Sequence, residues 1–287
     1  MKIKARYKIA AVVVIFAFLV FLPRKDVLNN LTAAVSKPTV IQKVNTIFQK
    51  KPTTEELAAA RKAKQDPLLA ELTPILAVNK NYAIAVYDIN NKELFGINQD
   101  TQFHAASVMK LLVATTAYRD IEAGKYDLSK TVEYNLEQMI NQSNNNSWDY
   151  FNNLQGFDHQ QQVADQLGLV GAKVWGNQMT THGIAQLLQQ LYNGHIISDQ
   201  HREQLFSYMQ NTETENRITK GLPAGVTFYH KTGHYNGGVH DAAIVLHPKN
   251  PFIIVVFTND TTGTPWETRF ASIAQATQKV YAYFDSI

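Results

Sequence analysis

The 287-residue chain contains no cysteine. Disulfides and thiolate metal sites are therefore excluded, while the compartment stays open. There is no H-E-x-x-H, and the nine histidines are scattered without compact ligand spacing, so no metal centre is expected. A glycine-rich phosphate loop is also missing, which argues against nucleotide use, and no cofactor is expected. Acidic residues are scarce at one end only. Residues 1–66 hold 13 Lys or Arg against 4 Asp or Glu, whereas the remainder holds 14 against 20. The larger part is thus mildly acidic and offers no basic patch for nucleic acid.

Long apolar runs are equally rare. The exception is Ile9–Leu22, 14 residues without a charge, preceded by Lys2, Lys4, Arg6 and Lys8. It is shorter than the ~20 residues of an ordinary spanning helix. Residues 1–25 read as a signal peptide or signal anchor. FLPRK follows with no small-x-small cleavage site, which favours an anchor with its basic end cytoplasmic and the rest outside. Residues 26–66 read as a stalk interrupted by Pro38 and Pro52.

A folded body is expected from Pro67. LLAELTPILAV suggests a helix, Tyr82–Asp88 a strand, and KELFGIN its hairpin partner after Asn90-Asn91. Helical patterns follow at Ala106–Arg119, Ser143–Leu154, Asp158–Leu167, His182–Tyr192 and Asp199–Tyr208. VTFYHKTG, VHDAAIVLH and FIIVVFTND then read as three strands, and Trp266–Phe284 as a closing helix. The expected fold is α/β: about five antiparallel strands with flanking terminal helices and an inserted all-helical domain. The parts are 67–104 and 218–287 for the α/β subdomain and 105–217 for the helical one.

Three polar motifs stand out. Ser107 and Lys110 lie three apart at a helix start, hence on one face. A serine hydroxyl needs a base to become a nucleophile, and a desolvated lysine can serve. On the spacing alone, helix capping or plain packing is the stronger explanation of the pair. Ser143-Asn144-Asn145 precedes the next helix, where an asparagine-rich cap is the plain alternative. Lys231-Thr232-Gly233 ends a strand. The lysine and threonine there suit a solvated edge, but the glycine implies a close approach or a bulge.

Taken in order, S-x-x-K, S-x-N and K-T-G are the motifs of the serine penicillin-recognising enzymes. Over residues 67–287 the chain resembles the class A β-lactamase family, with VADQLGL, TTHGIAQLLQQLYNG and RITKGLPAG in matching context. The resemblance implies that Ser107 is the acylated nucleophile and that Lys110 helps remove its proton. Ser143 would relay a proton to the leaving nitrogen, and Asn145 would bind the substrate's amide side chain. Lys231 would add positive charge near the substrate carboxylate, and Thr232 would hydrogen-bond it. The backbone N–H groups of Ser107 and of His234, just after Gly233, would form the oxyanion hole. Arg217 stands where some members place an arginine that assists carboxylate binding.

The chain departs from that pattern in one loop. Val170–Met179, VGAKVWGNQM, is shorter than the family's loop and holds no Asp or Glu to activate a deacylating water. Asn177 or Gln178 can bind a water but not deprotonate it well. The middle motif is Ser-Asn-Asn, and Ser143 follows Ser107 by only 36 residues. The reading favoured is an extracytoplasmic serine hydrolase, monomeric, acting on D-alanyl stem peptides of peptidoglycan and slow to release β-lactams. Open beside it are a true β-lactamase, a serine esterase of the same fold, and a non-catalytic penicillin-binding sensor. Trp148, Phe151 and Leu154 are expected in the core, His104 in a structural role, Trp175 in the core or against the cleft, and Asp241 paired with a Lys or Arg.

Overall fold

The computed structural model describes residues 53–287. The expected signal anchor at 1–25 and most of the expected stalk at 26–66 lie outside the described residues. Among those described, no helix is long and apolar enough to cross a membrane.

Helix α1 spans Thr54–Leu76. Thr53 and Glu56 start it reciprocally: Glu56 N–H donates to Thr53 Oγ1 at 3.1 Å and Thr53 N–H to Glu56 Oε2 at 2.8 Å. This is a capping box, legible as T-x-x-E. The helix runs through Pro67 and Pro74, so the body boundary expected at 66/67 falls inside it. Ala60–Ile287 form one compact unit.

Strands β1 (Asn81–Asp88), β2 (Glu93–Ile97), β5 (Thr227–Tyr235), β6 (Gly238–Leu246) and β7 (Phe252–Asn259) form one antiparallel sheet in the order β2-β1-β7-β6-β5. A ribbon not expected from sequence pairs β3 (Phe103–His104) with β4 (Gln178–Met179). Between the two halves of the sheet lie α2 (Lys110–Glu122), α3 (Lys130–Ile140), α4 (Asn145–Gln155), α5 (Phe157–Gln166), α6 (Thr181–Tyr192) and α7 (Asp199–Tyr208). A single turn, α8 (Ile218–Gly221), returns the chain to the sheet, and α9 (Trp266–Asp285) closes it.

The sheet has a core on each face. Along β7, Phe252, Ile254 and Val256 join Leu68, Leu72 and Leu76 of α1 and Ile273, Val280 and Phe284 of α9. Ile253, Val255 and Phe257 join the helical block through Leu111, Leu112, Val113 and Leu188. Successive strand residues face opposite sides, so a central strand buried on both reads as an unbroken apolar run. FIIVVF is such a run.

Three local expectations need correction. The helix expected over Ala106–Arg119 begins as a 3₁₀ turn, Ala106–Met109, and becomes α-helical only at Lys110. Helix α3 was not expected, although Val132, Leu136, Met139 and Ile140 make its buried stripe. Leu154, expected in the core, is exposed, while Phe151 is fully buried.

Candidate active site

Ser107 sits in the 3₁₀ turn, where residues three apart eclipse. Lys110 follows at the start of α2. This helix is buried on nearly every side, so the lysine enters the core with it. Its Nζ does not settle on Ser107. It donates to the Ser143 carbonyl at 2.6 Å and to Asn145 Oδ1 at 2.8 Å, and reaches Ser143 Oγ at 3.5 Å. The indole of Trp148 lies 5.0 Å from it.

The Ser143–Asn145 segment divides two tasks that the sequence left open. Asn144 caps α4, its Oδ1 accepting from Ser147 N–H at 3.0 Å. Ser143 and Asn145 are thereby left to meet Lys110. Ser143 has a φ of +54°, a left-handed conformation few non-glycine residues adopt. Lys231 reaches the same serine from β5, donating to Ser143 Oγ at 2.9 Å and to the Thr232 carbonyl at 3.1 Å.

Burial disfavours the charged form of both lysines. It lowers Lys110 to about 8, an effect only partly opposed by Asp149. Burial and then the charge of Lys110 lower Lys231 to about 7, and Arg217 adds to the effect. None of these three cations has a salt-bridge partner among the described residues. Asp241 opposes part of the lowering at Lys231 and Arg217, and the positive charge that the three groups retain suits an anion.

β5 is an edge strand, and one bond orients it. His230 N–H donates outward to the Met209 carbonyl at 3.0 Å, away from β6. Strand periodicity then turns the N–H of Thr232 and of His234 to the same outer edge. The Lys231–Gly233 side faces the nucleophile turn. A Cβ at Gly233 would stand 3.0 Å from the Ala105 carbonyl and 3.1–3.2 Å from Val108 and Ala106 side chains. Glycine lets the strand lie directly against that turn, and a side chain here would crowd it by a few tenths of an ångström. His234 itself packs edge-on against Trp266, at 4.4 Å between ring centres.

Two expected residues are placed differently. Arg217, expected to assist carboxylate binding, lies buried. Its Nη1 donates to the His240 carbonyl at 3.1 Å, its guanidinium stacks over Phe270 at 4.9 Å, and its Nε has no partner. Asp241 pairs with a histidine, not with a Lys or Arg. Its Oδ1 meets His230 Nδ1 at 3.0 Å and its Oδ2 accepts from Ile218 N–H at 3.1 Å. His230 Nε2 faces Glu215 at 3.2 Å. Burial alone would lower His230, but Asp241 and Glu215 outweigh it and raise it to about 9.

The Val170–Met179 loop reaches the nucleophile through Asn177. Its carbonyl accepts from Ala105 N–H at 2.7 Å, and its Nδ2 donates to the Ala106 carbonyl at 3.3 Å. Its Oδ1 is buried without a partner. Trp175, expected in the core or against the cleft, is exposed and bonded through Nε1 to Asp158 at 2.7 Å. Among the described residues no cluster of His, Asp and Glu is arranged to hold a metal.

The arrangement can support acyl transfer. It offers a serine, two lysines of lowered basicity, a hydroxyl between them, and outward N–H groups on an adjacent strand. The chain is 25% identical over 272 residues to the extended-spectrum β-lactamase PER-1 of Pseudomonas aeruginosa, covering 76% of this chain and 88% of that one. A variant of the last common ancestor of Gram-negative class A β-lactamases superposes with a TM-score of 0.71 at 21% identity, over 77% of this chain and 99% of the other. PBP-A gives 0.69 at 19% identity, over 77% and 97%. A mutant of PBP-A is known as an acyl-enzyme complex with penicillin G. At these identities the structural likenesses show the fold. The family model described as "Beta-lactamase enzyme family" matches residues 67–145 and 131–284, and the chain belongs to that family of β-lactamase-like serine hydrolases.

Proposed function

We propose that this chain forms an acyl-enzyme at Ser107 with donors ending in a D-alanyl carboxylate, and with β-lactams, and releases the acyl group slowly. A neutral Lys110 takes the Ser107 proton, and Oγ attacks the carbonyl carbon. The oxyanion rests on the N–H groups of Ser107 and His234. Ser143 delivers its proton to the leaving nitrogen and regains one from the protonated Lys110, while Lys231 holds that hydroxyl. Lys231 and Thr232 hold the substrate carboxylate, with the buried Arg217 adding positive charge behind them, and Asn145 holds the acyl-side amide. The products of this half-reaction are a Ser107 ester and a released amine; in a β-lactam the amine stays tethered.

The observation that carries slow release is the loop at Val170–Met179. It has no carboxylate, and the Asn177 side chain beside the nucleophile turn can hold a water but cannot take its proton. The penicillin G adduct of a PBP-A mutant supports acylation as the accessible step. The charged and apolar segment at the start of the sequence supports placement on the outer face of a membrane, where stem peptides occur. The relationship to PER-1 favours a second reading, turnover of β-lactams by another deacylation route.

One experiment separates them. Fluorescent penicillin is mixed with the protein, the label is located by mass spectrometry, and its loss is followed in time beside a D-alanyl-D-alanine peptide. The expected result is one label on Ser107, absent in Ser107→Ala, that persists for minutes. A burst followed by rapid steady hydrolysis establishes the second reading, and no label on Ser107 defeats both.

A further inference from the structure

Ala106, immediately before Ser107, has a φ of +51°. A residue with a Cβ keeps that left-handed conformation only where its surroundings over-determine it. Here Ala106 N–H donates to His104 Nδ1 at 3.2 Å, and the Ala106 carbonyl accepts from Asn177 Nδ2 at 3.3 Å. His104 is itself fixed from two sides. Its carbonyl accepts from His240 Nε2 at 2.8 Å, and its ring stacks on Tyr235 at 4.4 Å and 22°. His240 Nδ1 accepts from Thr258 N–H at 3.2 Å, so its proton is assigned to Nε2. The nucleophile turn is thus strapped through two imidazoles to β6 and β7. Burial holds both below the ordinary histidine range, His240 at about 3, which keeps each neutral and able to accept.

We propose that His104 is a positioning residue for acyl transfer: its Nδ1 locks Ala106 in the left-handed conformation and so aims Ser107 Oγ and the Ser107 N–H at the reacting carbonyl. The contact is the imidazole counterpart of the turn in which an asparagine side chain accepts the N–H two residues on. It rests on the acylation proposed above. The acceptor and the ring can be separated by substitution. His104→Asn keeps an acceptor at the right distance and loses the stack on Tyr235. His104→Phe keeps the ring and loses the acceptor.

The test measures the acylation rate constant and the non-covalent affinity for fluorescent penicillin in the full chain, with melting temperatures alongside. His104→Asn is expected within about threefold of the wild type. His104→Phe is expected to lose about 100-fold in rate with affinity little changed, because misaiming a reacting atom by about 1 Å costs that much. Equal rates in wild type and His104→Phe overturn the role, as does an Asn variant that falls as far as Phe. In ¹⁵N-labelled wild type, a coupling across the hydrogen bond between Ala106 N and His104 Nδ1 is expected, and its absence overturns the geometry. A wild type that penicillin does not label overturns the proposed function and this role together, which distinguishes the two failures.

Discussion

Two lysines meet one hydroxyl at Ser143, at 3.5 Å from Lys110 and 2.9 Å from Lys231. Their protons leave as a coupled pair in the range from about 7 to about 8. A lysine that removes the Ser107 proton must first be neutral, so the acylation rate constant is expected to rise about tenfold per pH unit on the acid side and level off above about 8. Stopped-flow labelling from pH 6 to 9 measures this, and a flat profile would exclude a lysine base. Ser107, Lys110, Ser143, Asn145, Lys231 and Thr232 were legible because their motifs have fixed order and spacing. The bracing contacts of His104, Asn177 and His240 were not. A side chain that accepts one backbone N–H leaves no pattern along the chain, and its role exists only once the turn, the loop and the sheet are together.

Strand β5 carries Lys231 and Gly233 on one face and the His230 ion pair on the other. On the reactive side Gly233→Ala places a methyl 3.0 Å from the Ala105 carbonyl. The strand must then retreat from the nucleophile turn, and acylation is expected to fall by about tenfold or more with a lower melting temperature. An unchanged rate in that variant would show that the close approach is not needed. On the opposite side His230, at about 9, lies well above its unfolded value near 6.5. Its charge therefore adds stability fully present below pH 6.5 and lost as pH rises through about 9. The stability gap between wild type and His230→Gln is expected to be widest at pH 6 and to narrow by pH 9.5 in urea titrations. A gap independent of pH would mean that His230 is neutral in the fold. At this scale the strands and α9 were readable from alternation and turn residues, and Asn236-Gly237 marks the β5–β6 hairpin with both residues at positive φ. Helix α3 was not legible because its stripe of Val132, Leu136, Met139 and Ile140 is thin in a segment that is otherwise largely polar. The 3₁₀ start of the nucleophile helix was unreadable because it depends on the strained Ala106.

The whole unit is organised by one sheet with apolar clusters on both sides, and β7 supplies alternate residues to each. Ile253→Ala and Ile254→Ala remove contacts from opposite clusters, yet both are expected to cost about 2–5 kcal/mol and to shift a single denaturant transition. Two separate transitions in either variant would show that the clusters unfold independently. The sheet-and-insertion plan was legible from the order of strands and helices; the run of α1 across the expected boundary at Pro67 was not, because two prolines ordinarily read as breaks. The loop at Val170–Met179 acts at this scale as well, since it braces the nucleophile turn through Asn177 and contributes no acid. On the proposed chemistry, each polypeptide then behaves towards a β-lactam as a reagent, not a catalyst. One chain holds one molecule for the lifetime of its Ser107 ester, so any protection its cell gains is set by copy number and by the slow rate of release.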